Sequence, residues 1–117
     1  MKILTGGVGK AETADAVREL GLGGVEVIVS SDMDAAVRLR SGGADYYLGT
    51  CHTGAGASLG VLVALLGQGV CHTFGRSVPT PEEVAELLRG GKRVFGFSLD
   101  RIDTVAPALA RAIADRT

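Results

Sequence analysis

The chain has 117 residues, 46% hydrophobic and 21% charged, with 12 basic and 13 acidic side chains and a formal net charge of -1. This composition excludes a disordered or fibrous chain, and the length predicts a single domain over residues 1–117 that can bury a core. Because the chain has no excess of basic charge and only 4% aromatic residues, nucleic acid is not an expected partner.

The apolar segments predict a cytoplasmic protein with no membrane insertion. The apolar run before Gly6-Gly7 is only two residues long, Ile3 and Leu4, which is too short for the apolar region of a signal peptide. The longest mostly apolar run, 55–66, has the length of a buried helix and is too short for a membrane span. The two cysteines of such a chain are expected to stay reduced.

Short β-branched runs alternate with helix-length segments, which is typical of a parallel sheet with crossover helices. The predicted strands are Lys2–Thr5, Val25–Val29, Tyr46–Thr50, Val70–Phe74 and Val94–Ser98. A helix is predicted after each strand. The first covers about 11–20, the second runs from a cap at Ser31 or Asp32 to about Ser41, and the third covers 57–66. The fourth runs from a cap at Thr80 to Gly90-Gly91, and the fifth begins at a cap at Asp100. Pro107 lies inside the last segment and is expected to kink the helix or delay its start.

Five such units predict a three-layer, Rossmann-like (flavodoxin-like) α/β fold with strand order 2-1-3-4-5. In that order ligands bind beyond the carboxyl ends of the strands, at the switch point between the first and third strands. The loops at this point are Gly6–Lys10 and Cys51–Ser58. Tyr46-Tyr47 is expected to supply one ring to the core on each face of the sheet.

The first loop, Gly6-Gly7-Val8-Gly9-Lys10, is not a nucleotide-hydrolysing P-loop. Leu4 stands where the first glycine of that motif is needed, and Ala11 replaces the hydroxyl that would hold magnesium. Gly6, Gly7 and Gly9 still permit close approach of a ligand to the backbone. A flexible strand-to-helix turn is the alternative interpretation.

The second loop, Cys51-His52-Thr53-Gly54-Ala55-Gly56-Ala57-Ser58, combines a thiol, hydroxyls, an imidazole and glycines between a strand and a helix. Amides at the helix start can bind an anion and favour the Cys51 thiolate, which makes this residue a candidate base or nucleophile. The predicted ligand-binding residues here are His52, Gly54, Gly56 and Ser58. Alternatively, the small residues only allow close helix packing, with Cys51 as a buried apolar group.

The triplet Cys-His-Thr occurs at 51–53 and again at 71–73, at the ends of strands predicted to be neighbours. Alternate strand residues point to opposite faces and the spacing matches no paired-ligand pattern, so no metal or cofactor is predicted. His72 is instead expected to be a wall of the pocket. Arg76, beyond the fourth strand, is either a clamp for a carboxylate or phosphate or a solvated surface arginine.

The chain resembles the YhfU-like family of small bacterial proteins, a family without an assigned function. The resemblance runs almost end to end. Its strongest stretches are Ser31–Ala36, Gly42–Ser58 and Val94–Ser98.

The second loop also resembles the Cys-Gly-Thr-Gly-x-Gly-x-Ser loop of ribose-5-phosphate isomerase B and related enzymes. The resemblance implies that Cys51 moves a proton between adjacent carbons and that Thr53 assists ring opening, while Gly54 and Gly56 shape the pocket. His52 replaces a glycine of that loop, and the Asp-His pair of those enzymes is replaced by Gly6–Gly9. The isomerase activity itself is therefore not transferred.

These residues predict a small anionic metabolite, phosphorylated or carboxylated, as the ligand and leave two functions open. One is an isomerase-like or lyase-like enzyme that uses Cys51 as its base. The other is a non-catalytic metabolite-binding or sensing subunit of a transport or metabolic system. A homo-oligomer is also predicted, because the third helix is apolar on nearly every side, at Leu59, Val61, Leu62, Val63, Leu65 and Leu66.

Overall fold

The structure, a computed structural model, describes residues 1–53 and 59–116. Its five strands are β1 (Lys2–Gly7), β2 (Glu26–Val29), β3 (Tyr46–Cys51), β4 (Cys71–Thr73) and β5 (Val94–Ser98). Its α-helices are α1 (Lys10–Arg18), α2 (Asp32–Ser41), α3 (Gly60–Leu66), α4 (Pro81–Arg89) and α5 (Ile102–Asp115). All strand pairs are parallel, which confirms the predicted α/β class.

Helices cover both faces of the sheet and so form a three-layer, Rossmann-like fold. On one face α1, α4 and α5 enclose a core around Phe95, Phe97 and Leu109. On the other face α2 and α3 enclose a core around Tyr47 and Leu62. Tyr46 packs against the first core and Tyr47 lies in the second, which confirms one ring on each face.

The strand order is β2-β1-β3-β5-β4. The predicted order 2-1-3-4-5 is wrong at one edge, where β4 and β5 have exchanged places. All five residues of β5 are buried, whereas the three residues of β4 become progressively exposed from Cys71 to Thr73. A strand buried on both faces belongs in the interior of a parallel sheet, and a short polar strand is suited to an edge. The chain moves from β4 to β5 in the same direction across the sheet as it moves from β1 to β2. Right-handed crossovers therefore put α4 on the same face as α1, as observed.

Capping residues begin and end the helices largely as predicted. The Ser31 hydroxyl accepts the Asp34 N–H at 3.1 Å, and Gly42 ends α2 with a φ of 84°. Thr80 and Glu83 form a reciprocal capping box at α4.

The predicted Asp100 cap of the last helix is wrong. A 3₁₀ turn covers Leu99–Arg101, the carboxylate of Asp100 accepts the Ser98 hydroxyl, and α5 begins at Ile102 with Pro107 inside it. The predicted start of the third helix at Ala57 falls outside the described residues. Among the described helices, none is long and apolar enough to cross a membrane.

Candidate functional site

The β1–α1 loop is taken as Gly6–Lys10, so that it includes the last two residues of β1 and the first residue of α1. Hydrogen bonds join this loop to the end of β3, directly before Cys51. Gly7 pairs with Thr50 in the β1–β3 register. The Val8 N–H donates to the Thr50 carbonyl at 3.1 Å, and the Gly9 N–H donates to Thr50 Oγ1 at 2.7 Å. Thr50 is fully buried, and its hydroxyl donates in turn to the Gly6 carbonyl at 3.4 Å. One threonine therefore joins the two loops of the predicted switch point.

All three glycines of the β1–α1 loop are closely packed, and the contact of Gly7 is with backbone atoms. A Cβ atom on Gly7 would lie 1.9 Å from the Thr50 carbonyl oxygen, and the φ of Gly7 is +86°. A Cβ on Gly6 would lie 2.1 Å from the Tyr47 hydroxyl, and one on Gly9 would lie 2.6 Å from Ile102 Cδ1. Packing, rather than flexibility, accounts for glycine at these positions.

Cys51 ends β3 as a half-buried residue and pairs with Ser98 of β5. His52 and Thr53 follow in a bend at the carboxyl edge of the sheet, and both are exposed. Three further predicted ligand-binding residues, Gly54, Gly56 and Ser58, lie outside the described residues.

The second thiol differs from Cys51 in its surroundings. Cys71 is only 4% exposed and its Sγ donates to the Gly67 carbonyl at 3.5 Å. Burial raises the pKa of Cys71, and the nearby Lys92 opposes this rise only in part. The Cys71 thiolate is therefore disfavoured at neutral pH.

We expect iodoacetamide to alkylate Cys51 faster than Cys71 at neutral pH, by about tenfold or more. The thiolate attacks the reagent, which must be able to reach the sulfur. Cys71 is buried and its thiolate is disfavoured, so both conditions are poorly met there. Peptide mapping of the native protein over time measures both rates. Equal rates, or a faster Cys71, would contradict this assignment, and equal rates after unfolding in urea serve as the control.

Arg76 lies at the same edge of the sheet as Cys51. The neighbour of Cys51 in β5, Ser98, donates its N–H to the Gly75 carbonyl at 3.0 Å. The Arg76 Nε lies 4.0 Å from Asp100 Oδ2, and the arginine side chain is 63% exposed. An exposed ion pair of this kind is weak, so the guanidinium can exchange its partner for a ligand anion.

The two Cys-His-Thr triplets are not on neighbouring strands, and that prediction is wrong because β5 lies between β3 and β4. Cys71 pairs with Val94 at the start of β5, whereas Cys51 pairs with Ser98 at its end. His72 stands edge-on to Phe74, with ring centroids 4.8 Å apart, and burial lowers the pKa of His72. The structure therefore places His72 away from Cys51. Within residues 1–53 and 59–116, no group of three or more His, Cys, Asp or Glu residues could hold a metal ion.

Thr50 and Tyr47 are not among the site residues that the sequence predicts. In the sequence Thr50 is like any other residue of a strand. The one signal that could have identified it is its polar side chain at the end of a buried strand, directly after Gly49. Tyr47 was predicted only as core, and its ring is core, but the residue also lines a cavity at the carboxyl edge. That cavity has a volume of about 240 Å³ and is lined by Gly7, Lys10, Ser30, Ser31, Asp32 and Tyr47.

Relatives of the chain match it over nearly its whole length. The chain is 32% identical over 110 residues to the uncharacterized protein YhfU of Escherichia coli strain K12, covering 92% of this chain and 94% of that protein. The YhfU protein of Shigella flexneri matches to the same extent. These matches confirm the predicted resemblance to the YhfU-like family.

Among solved structures, the chain is similar to ribose-5-phosphate isomerase B of Clostridium thermocellum. The TM-score is 0.56 with 24% sequence identity, over 98% of this chain and 82% of the other. At this identity the likeness establishes the fold alone. The family described as protein of unknown function DUF2620 matches residues 1–113, and the chain belongs to that family.

Proposed function

We propose that the protein binds a small anionic metabolite, phosphorylated or carboxylated, between the β1–α1 loop and the end of β3. The observation that carries the proposal is the junction at Thr50, which brings the start of α1 beside Cys51, His52 and Thr53. The junction lies at the switch point, because β2 and β3 flank β1 on opposite sides. Ligands of open α/β sheets bind at such points.

The first turn of α1 supplies the attraction for the anion. This helix spans nine residues, and its cap residue is Gly9, which has no side chain with which to cap the amides of the first turn. Helix-start amides and the helix dipole favour negative charge, and Lys10 adds a cation at the first position. Gly6, Gly7, Gly9 and His52 complete the proposed binding set, with Gly54, Gly56 and Ser58 from the adjoining loop and Arg76 from the far side.

In the enzymatic form of this proposal, Cys51 is the base and Thr53 assists it. The loop resemblance and the solved structure named ribose-5-phosphate isomerase B support this form. The structure adds a second candidate acid–base group, Asp100, whose carboxylate is held by Ser98, the strand partner of Cys51. The proposal includes a cytoplasmic location, where such a thiol stays reduced.

The second candidate function is a non-catalytic binding or sensing subunit that uses the same pocket. The contacts of the three glycines favour it. In the isomerases an Asp-His pair follows the first strand, whereas here a side chain at Gly7 would meet the Thr50 backbone and one at Gly6 would meet the Tyr47 ring.

Titration of the full chain with inorganic phosphate, followed by amide NMR, tests the binding proposal. We expect resonances of Gly9 through Glu12 and of the 51–58 loop to shift. Thr50→Val removes the acceptor of the Gly9 N–H and is expected to weaken phosphate binding about tenfold, equivalent to about 1.4 kcal/mol. Thr13→Val is the matched control, because the buried Thr13 hydroxyl has no hydrogen-bond partner among the described residues. Shifts confined to other regions would contradict the proposal.

We also propose a homo-oligomer that buries the outer surface of α2 and α3. Met33 and Val37 on α2 are 55% and 57% exposed, and Leu65 on the neighbouring α3 is 40% exposed. Light scattering is expected to give at least twice the 12.0 kDa of one chain. Val37→Glu should give the mass of one chain, whereas Val78→Glu, on an exposed valine elsewhere, should not. A wild-type protein of 12.0 kDa at micromolar concentration would contradict the oligomer.

A further inference from the structure

The cavity at the carboxyl edge lies between the β1–α1 loop and the β2–α2 loop. Gly7 and Lys10 line it from the first loop, and Ser30, Ser31 and Asp32 line it from the second. Its volume of about 240 Å³ exceeds that of one water molecule, about 30 Å³ in the liquid. The cavity adjoins the proposed anion site, because both include the β1–α1 loop.

Tyr47, whose hydroxyl is buried, is one of the residues that line this cavity. The tyrosine is 0% exposed, and no group within residues 1–53 and 59–116 forms a hydrogen bond with its hydroxyl. In the sheet register Tyr47 lies opposite Leu4, yet its hydroxyl is so close to Gly6, two residues further along β1, that a Cβ atom added to Gly6 would lie 2.1 Å from it. The ring is therefore aimed at the carboxyl edge, where Gly7 begins the cavity lining. A buried hydroxyl without a partner destabilises a protein that holds nothing beside it.

The charges around the cavity balance, and donors and acceptors are both present. Lys10 carries a positive charge, and Asp32 a negative one, with Asp32 Oδ1 accepting the Met33 N–H at 2.8 Å. The Ser31 hydroxyl accepts the Asp34 N–H at 3.1 Å, so it can donate its own proton to a ligand. Burial, and then the Asp32 charge, raise the pKa of Tyr47, so this hydroxyl stays protonated and can both donate and accept.

We propose that this cavity is a second subsite, which binds a neutral, hydroxylated part of the ligand through the Tyr47 hydroxyl, Ser31, Asp32 and Lys10. Each hydroxyl of a polyol can both donate and accept a hydrogen bond. A polyol therefore suits a cavity lined by one positive charge, one negative charge and hydroxyl groups better than a second anion does. The subsite rests on the proposed function, because a ligand anchored at the first turn of α1 reaches the cavity past Gly7 and Lys10. The ligand class is then a hydroxylated carbon chain that ends in a phosphate or carboxylate.

Amide NMR of the full chain with three neutral polyols, glycerol, erythritol and ribitol, tests the subsite. We expect at least one to shift the resonances of Gly7, Lys10, Ser30 and Ser31. Tyr47→Phe removes only the hydroxyl and is expected to weaken polyol binding about fivefold. Tyr46→Phe, which removes the same group on the opposite face of the sheet, should bind as the wild type does. Without ligand, Tyr47→Phe should unfold at the wild-type temperature or higher, because an unpaired buried hydroxyl has been removed.

The outcomes separate this subsite from the anion site. No shift of these four residues with any polyol, or equal binding by Tyr47→Phe, would overturn the subsite and leave the hydroxyl paired with buried water only. Phosphate binding at α1 would still support the proposed function in that case. Polyol binding without phosphate binding would overturn the anion site and retain the cavity as a polyol site. If Tyr47→Phe does not fold, the wild-type shifts at the four amides decide the question.

Discussion

Gly7→Ala is expected to lower the free energy of unfolding by at least about 3 kcal/mol and to abolish phosphate binding. The added Cβ would lie 1.9 Å from the Thr50 carbonyl oxygen and 2.7 Å from the Thr50 nitrogen, both backbone atoms of the central strand β3. Overpacking of this kind costs about 1–3 kcal/mol, and more when backbone must move. A positive φ at a residue other than glycine adds about 1–2 kcal/mol.

Gly42→Ala separates the two contributions. Gly42 has a φ of +84°, close to that of Gly7, but a Cβ there would meet nothing within 4 Å. This control should therefore lose only the conformational part, about 1–2 kcal/mol. Urea titrations of both variants measure the difference. If Gly7→Ala costs no more than Gly42→Ala, the close contact between β1 and β3 does not exist as described.

Cys51→Ser is expected to abolish any proton transfer to carbon while preserving the fold and phosphate binding. Serine nearly fills the space of cysteine, but its hydroxyl does not ionise near neutral pH and cannot serve as the base. Sugar phosphates and hydroxy acids would be incubated in deuterated water with each form of the protein, and deuterium uptake at carbon would be followed by NMR. Cys71→Ser, at the buried thiol, is the matched control and should retain the wild-type uptake.

The results distinguish the two candidate functions. Uptake with the wild type and with Cys71→Ser, but not with Cys51→Ser, would support an enzyme that uses Cys51 as its base. A ligand that binds every form without uptake in any favours the binding subunit. Full uptake with Cys51→Ser would show that Cys51 is not the base.

The predictions that succeeded from the sequence depend on local chemistry. β-Branched runs predicted where the strands lie, because extended backbone accommodates side chains branched at Cβ. The hydroxyls of Ser31 and Thr80 marked the starts of α2 and α4, since each satisfies an amide within its own first turn. The site predicted at the glycine-rich segments after β1 and β3 stays a prediction, and it rests on the same local signal, because both segments follow strands that end at one edge of a parallel sheet.

The strand order and the junction at Thr50 were decided only by tertiary structure. β5 lies beside β3 because it can be buried on both faces of the sheet, whereas β4 cannot. β5 carries the buried Phe95 and Phe97, and β4 carries the more exposed His72 and Thr73. The wrong position of β4 also made the two Cys-His-Thr triplets neighbours in the prediction. No pattern within either strand alone contains that comparison.

By itself, the sequence determined the α/β class, the caps that begin α2 and α4, and which segments follow β1 and β3, because each follows from residues close together in the chain. Only the tertiary structure decided what those loops meet. The Gly9 N–H donates to the hydroxyl of Thr50, 41 residues away. Tyr47 packs its hydroxyl against Gly6 and is one of the residues that line the cavity. Contacts between residues so far apart depend on sheet register and side-chain length, and these are set when the strands pair and the core packs.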